Sequence, residues 1–385
     1  MLERVRVMRL WTWIVVAAAM SALTGCSGFF VPPDTGGNGS GGGTTGNRAY
    51  VANSDTKTPA NSTIAGFTVG AGTLTAVPSS PLTLGYPPTA MVTTPTNSFL
   101  YVAGPGAIYV YTINADGSLT GSSGGAAVAI VDVIALDVSP DGNWLFGLDS
   151  ATTVIDQFQI NKSTGSLSSV AATAYTVSNA VVVPKAIRVA PNGTLVFAAL
   201  GTGGDVVFTF NTTSGALASS QTLAPPTATT SDNALAIDST TSFVYIARSG
   251  TSGGTAVYGI GAAGALNSVA GSPFAAGNGP ASVVLDSTGK FVYVANSTDG
   301  TISGYTIGTG ASLTALAGSP YASGKQVSSI GTDQSGKYIL AASIGGSPDL
   351  SMYSFDAATV GKLNLATSTA TGTGTSNAVA LALTH

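Results

Sequence analysis

The chain has 385 residues, of which only 8% are charged against 44% hydrophobic, with 50 glycines and a formal net charge of −4. That is ample for a large core and far too acidic and charge-poor for a nucleic-acid surface. Glu3 is the sole glutamate, His385 the sole histidine and Cys26 the sole cysteine, which removes most general-base, thiol and zinc chemistry from consideration.

Residues 1–25 pair a basic start (Arg4, Arg6, Arg9) with an apolar run, 10–22, too short to span a bilayer comfortably. This reads as an export signal, with Met8 an alternative start. The following Leu23-Thr24-Gly25-Cys26 resembles the bacterial lipobox, which implies lipidation of Cys26 and attachment to a membrane. Ser27 after the cysteine implies, by the same resemblance, sorting to the outer membrane of a Gram-negative envelope. Once the leader is removed the net charge is −6. The Gly/Ser-rich stretch to Gly46 is a flexible tether with an end-to-end distance of roughly 25 Å. Its Asp34-Thr35-Gly36 matches the aspartic-protease triplet by chance, since a flexible tether cannot hold a carboxylate dyad.

From residue 47 onward one unit recurs. Lys290–Pro320 is its clearest copy: a β-branched and aromatic run (Phe291–Asn296), a turn, a second alternating run (Thr301–Ile307), and a Gly-rich turn before Leu313. The anchor of the first run falls at Tyr50, Tyr101, Phe146, Phe197, Tyr245, Tyr293 and Leu340, a mean spacing of about 48 residues. A Gly followed by Leu opens an outer strand in every unit, from Gly72/Leu74 to Gly361/Leu363. Units from the second onward begin with a further strand, often closed by an Asp-Gly or Asn-Gly turn, in which the residue eleven before the anchor is small: Ala90, Ala135, Ala186, Ala234, Ser282 and Ser329. The pattern predicts an all-β, seven-bladed β-propeller of four-stranded antiparallel blades over 47–385. The first unit lacks an inner strand and 377–383 is an inner strand without a unit, so the two are expected to pair and close the ring.

Tyr-Val-Ala-Asn at 50–53 and 293–296, Asp-Ser-Thr-Gly-Lys at 286–290, Asp-Gln-Ser-Gly-Lys at 333–337, and Ser-Pro before an aromatic at 272–274 and 319–321 together resemble the lactonase-like propellers, which include bacterial 6-phosphogluconolactonase and the YVTN-repeat surface proteins. The resemblance spans 48–385 and implies lactone ring opening at the channel mouth by His, Arg and Glu. The mature chain has no Glu and no internal His, and His385 reads as a frayed terminus, so no catalytic residue is carried over. Two Gly-x-Ser-x-Gly matches, 121–125 and 250–254, lack the strand-to-helix turn and His that a nucleophile elbow needs.

Charge on the inner strands is scarce enough to stand out. Asp137 and Arg188 both lie nine residues before their anchors in adjacent units; Asp132, Lys185, Asp232 and Asn233 lie slightly earlier, toward one channel mouth. Either these six form a polar pocket for a small anionic or lactone ligand, or Asp137 and Arg188 make a structural ion pair that plugs the channel. No cofactor and no metal site is expected. The sequence therefore carries three readings: an envelope-anchored binding module engaging a protein or glycan through its loops, a lactone hydrolase using Asp, Lys and Arg, and a structural surface protein.

Overall fold

The computed structural model describes residues 46–177, 181–346, 348–372 and 377–385. The leader, Cys26 and the tether up to residue 45 lie outside the described residues, as does the Asp-Thr-Gly triplet. Seven antiparallel sheets form the ring, taken here as blades 1 (48–76), 2 (90–121), 3 (133–174), 4 (186–223), 5 (231–268), 6 (280–315) and 7 (327–369). In blades 2–7 the chain runs from the innermost strand outward; the loops that join blades define an upper face, and the turns after the inner strands a lower one.

Blade 1 is completed by Asn377–Leu383, which pairs antiparallel with Arg48–Ser54 from Ala49↔Leu383 to Ser54↔Asn377. The expected closure is thus the observed one. Thr384 adds a clamp, its Oγ accepting the Arg48 N–H at 2.8 Å. The terminus beyond it is pinned rather than frayed. The His385 N–H donates to Asn97 Oδ1 at 2.8 Å, Asn97 Nδ2 donates back to the His385 carbonyl at 2.8 Å, and Gln334 Nε2 reaches the same carbonyl. Inner-strand geometry is the reason, because the closing strand delivers His385 into the lower mouth between the first turns of blades 2 and 7.

Each repeated residue has a packing reason. The anchors Tyr50, Tyr101, Phe146, Phe197, Tyr245, Tyr293 and Leu340 are at most 2% exposed, and each side chain buried on this scale contributes about 1.5–3 kcal/mol. The hydroxyls of Tyr50, Tyr101 and Tyr293 donate to the carbonyls of Gly117, Gly165 and Gly361, the equivalently placed glycine of the next blade's outer turn, at 2.8, 2.8 and 2.6 Å. Trp144 extends the same seam, with its indole N–H on the Thr212 carbonyl at 2.9 Å. A Cβ on Gly215 would lie 2.2 Å from its ring. In the Ser-Pro motifs, Ser272 and Ser319 Oγ accept third-strand N–H groups of Val257 and Gly304. The aspartates of the lower turns behave as turn caps: Asp286 Oδ1 takes the Lys290 and Phe291 N–H groups, and Asp333 Oδ1 those of Lys337 and Tyr338.

Candidate functional site

The residue opposite each anchor on the inner strand forms a ring of seven positions: Ala382, Val92, Asp137, Arg188, Ala236, Val284 and Gly331. Five are apolar, so the two charges sit side by side in a greasy channel. Asp137 is 1% and Arg188 5% exposed. Asp137 Oδ2 accepts the Val189 N–H of the next blade at 2.7 Å, while Arg188 Nη1 donates to the Ile187 carbonyl at 2.8 Å. Burial pushes the Asp137 carboxyl up to about 6, against the opposing pull of the Arg188 charge and the Val189 N–H. Both residues line a small internal cavity with room for about one water molecule.

The other four predicted residues lie on the upper side, but they do not converge. Asp132 is exposed and ties loops together, accepting the Gly106 N–H at 3.3 Å and the Ser150 hydroxyl at 2.8 Å. Lys185 is half-buried, and loss of hydration lowers its ammonium below the ordinary lysine range. Asn233 spans the seam between blades 5 and 6, donating to Ser249 Oγ at 2.9 Å and to the Pro280 carbonyl at 2.7 Å.

Asp232 departs furthest from the expected mouth position. A register shift between Asp232 and Ala234 makes Asn233 a bulge and sets Asp232 opposite Arg248. There the carboxylate, fully buried, takes Arg248 Nε at 2.6 Å and Nη2 at 2.8 Å, and Nη2 also donates to Tyr258 Oη at 3.1 Å. Asp205 of blade 4, 3% exposed, completes the group; burial and the adjacent Asp232 charge hold its carboxyl well above the usual range. With both carboxyls ionised neither Asp205 oxygen has a donor among the described residues, so a proton on Asp205 serves both acids.

Arg248, Asp205 and Tyr258 were absent from the sequence reading. One signal was available: residues 245–248 read Tyr-Ile-Ala-Arg where 50–53 and 293–296 read Tyr-Val-Ala-Asn, so arginine replaces the asparagine of the motif. In the regular blades that asparagine is equally buried, Asn53 bonding Thr63 and Thr371, and Asn296 bonding Thr301 and Ser303. The Gly-x-Ser-x-Gly segments are a short 3₁₀ loop after blade 2's outer strand and a tight turn in blade 5. Among the described residues no three His, Cys, Asp or Glu side chains gather as a metal set.

Residues 243–380 match the profile of the family described as Lactonase, 7-bladed beta-propeller. The match runs from the second strand of blade 5 into the closing strand. No curated protein matches the chain. Among solved structures, a protein of Bacteroides fragilis described as a candidate 6-phosphogluconolactonase superposes with a TM-score of 0.68 at 16% identity, over 89% of this chain and 99% of that one. The periplasmic gluconolactonase of Pseudomonas aeruginosa gives 0.64 at 16% identity, over 88% and 99%. A Lactobacillus plantarum protein gives 0.61 at 19%, over 74% and 85%. At these identities the likeness is one of fold, and it agrees with the ring of seven four-stranded blades.

Proposed function

We propose that this is an exported propeller, held on the bacterial envelope by a lipid on Cys26 and probing its surroundings as a lactonase-like binding module. Its attachment belongs to the outer membrane, and its partner, a protein or glycan, meets the loops of the upper face. The observation that carries this reading is the internal use of the inner-strand polar groups. Asp232 is bound two-pronged by Arg248, Asn233 bridges blades and Asp137 holds a neighbouring N–H, so little reactive functionality is left pointing at the mouth. A screen of the full chain against a broad lactone panel tests it. Absence of turnover from folded protein is the expected result, and turnover that disappears in the Lys185→Ala/Arg188→Ala variant would overturn it. The anchoring step is tested separately, since Cys26→Ser should move the protein from the membrane to the soluble fraction.

A second reading, lactone hydrolysis, is favoured by the family match over 243–380 and by the gluconolactonase names of the structural neighbours. In that case an Asp carboxylate would draw a proton from water as it attacks the lactone carbonyl, and collapse of the tetrahedral intermediate would break the ring C–O bond, the proton passing from the Asp to the leaving alkoxide. Lys185 and Arg188 would stabilise the oxyanion. The lactone panel decides between the two.

A further inference from the structure

The cavity between the inner strands of blades 1–4 is walled chiefly by apolar groups, among them Val92, Leu136, Leu381 and Leu383, and Thr93, Asp137 and Arg188 also border it. Thr93 is already engaged, donating to the Leu383 carbonyl at 2.7 Å. Asp137 is divided between two environments: Oδ2 holds the Val189 N–H, whereas Oδ1 is buried with no hydrogen-bond partner among the described residues. A carboxylate oxygen left this way is costly, and two remedies exist, a donor supplied by a guest or a proton on Oδ1 itself. The proton changes the character of the cavity. Oδ1–H then becomes a donor beside the fixed positive charge of Arg188, in a space with an apolar remainder and a size near that of a single water.

We propose that this cavity is a binding site for one small monovalent anion of halide size, held by the Arg188 charge and by the Oδ1–H of neutral Asp137. Binding therefore takes up a proton. The site shares Arg188 with the lactone reading but not its ligand, since neither a sugar lactone nor a peptide fits a space of about one water.

The protonation behaviour is consistent with this geometry. Burial already carries the Asp137 carboxyl up to about 6, and an anion beside it would raise it further. The groups facing the carboxyl are Arg188 and the N–H groups of Val189 and Val138. His385 comes next, through its Nε2 contact with Thr93 Oγ at 3.1 Å; burial lowers it to about 3, so it stays neutral across the working range.

Bromide serves as the probe, with binding to the full chain measured by titration calorimetry at pH 5 and pH 8 and the ion located by anomalous diffraction in crystals at both. A ligand that needs the protonated form binds more weakly in proportion to its scarcity, which for a group near 6 is about a hundredfold between these pH values. Asp137→Asn keeps an acceptor for Val189 and places a permanent N–H donor in the cavity. It should bind bromide with little difference between the two pH values, and Arg188→Gln should bind none. Water alone in the cavity at pH 5, equal bromide affinity at both pH values in the unaltered chain, or an undiminished pH dependence in Asp137→Asn would each overturn the proposal.

Discussion

Replacing Arg248 by methionine removes one charge from a group of three that water does not reach. Arg248 is 2% and Asp232 0% exposed, with guanidinium–carboxylate contacts of 2.6 and 2.8 Å, so solvent screening offers little relief. Methionine preserves much of the side-chain volume, which leaves the electrostatic loss as the main effect. Removing one partner of a buried pair costs about 3–5 kcal/mol because the other charge stays behind uncompensated. Asp205 lies against the same carboxylate, its carboxyl raised by burial and by that charge and lowered by Arg248, so losing the guanidinium raises it further and lets a proton there offset part of the cost. The loss should consequently be larger at pH 8 than at pH 5. Urea unfolding followed by tryptophan fluorescence reports it, since Trp144 is the one tryptophan in the described propeller and sits in the seam between blades 3 and 4. The double variant Arg248→Met/Asp232→Asn should recover a large part of the stability, because two neutral groups replace the stranded charge. A loss below about 1 kcal/mol in Arg248→Met, or one that grows toward low pH, would refute the reasoning.

Asp205→Asn isolates the proton on that cluster. The folded carboxyl is raised by burial and by Asp232, so its stabilising contribution is complete below the unfolded value near 4 and is lost as pH rises toward the folded one. The asparagine variant should flatten this part of the pH–stability profile. Tyr293→Phe should cost about 0.5–1.5 kcal/mol through the Gly361 carbonyl it leaves without a donor, measured by the same unfolding assay. Truncation before residue 377 should abolish cooperative unfolding and give aggregation visible by light scattering, because blade 1 loses its inner strand. Replacing His385 by alanine should leave the shape of the pH–stability profile between pH 5 and 8 unchanged, since its imidazole, lowered to about 3, is uncharged throughout that range.

The blades were legible in the sequence because three signals coincide in each unit: alternation of apolar residues, a turn cluster, and an anchor at fixed spacing. The Ala/Ser column eleven before the anchor could be read for the same reason, since it recurs at a fixed spacing and is buried in all six units that carry it. The column of Asp137 and Arg188 was equally countable, but their partners were not. Adjacency suggested a pair, and the Arg188 charge does act on Asp137, but the carboxylate also takes the N–H of Val189, a backbone group that the sequence does not advertise. Asp232 shows a different limit. A single bulged residue, Asn233, reverses which side chain faces inward, and no feature of Ser-Asp-Asn-Ala marks that bulge beforehand. Once turned inward, Asp232 meets Arg248 from the neighbouring strand and Asp205 from the neighbouring blade, contacts that depend on the twist between sheets.

The ring is sealed by residues far apart in the polypeptide: Arg48 and Thr384 stand 336 positions from each other. A chain folded only as far as blade 7 therefore displays an open arc with two raw strand edges until Asn377–Leu383 docks, and that closure costs the entropy of a very long loop. Such an arc invites pairing with other chains and suits a holding chaperone. The latch that gives the finished protein its seamless circumference also makes every unfinished copy a conspicuous client for quality control.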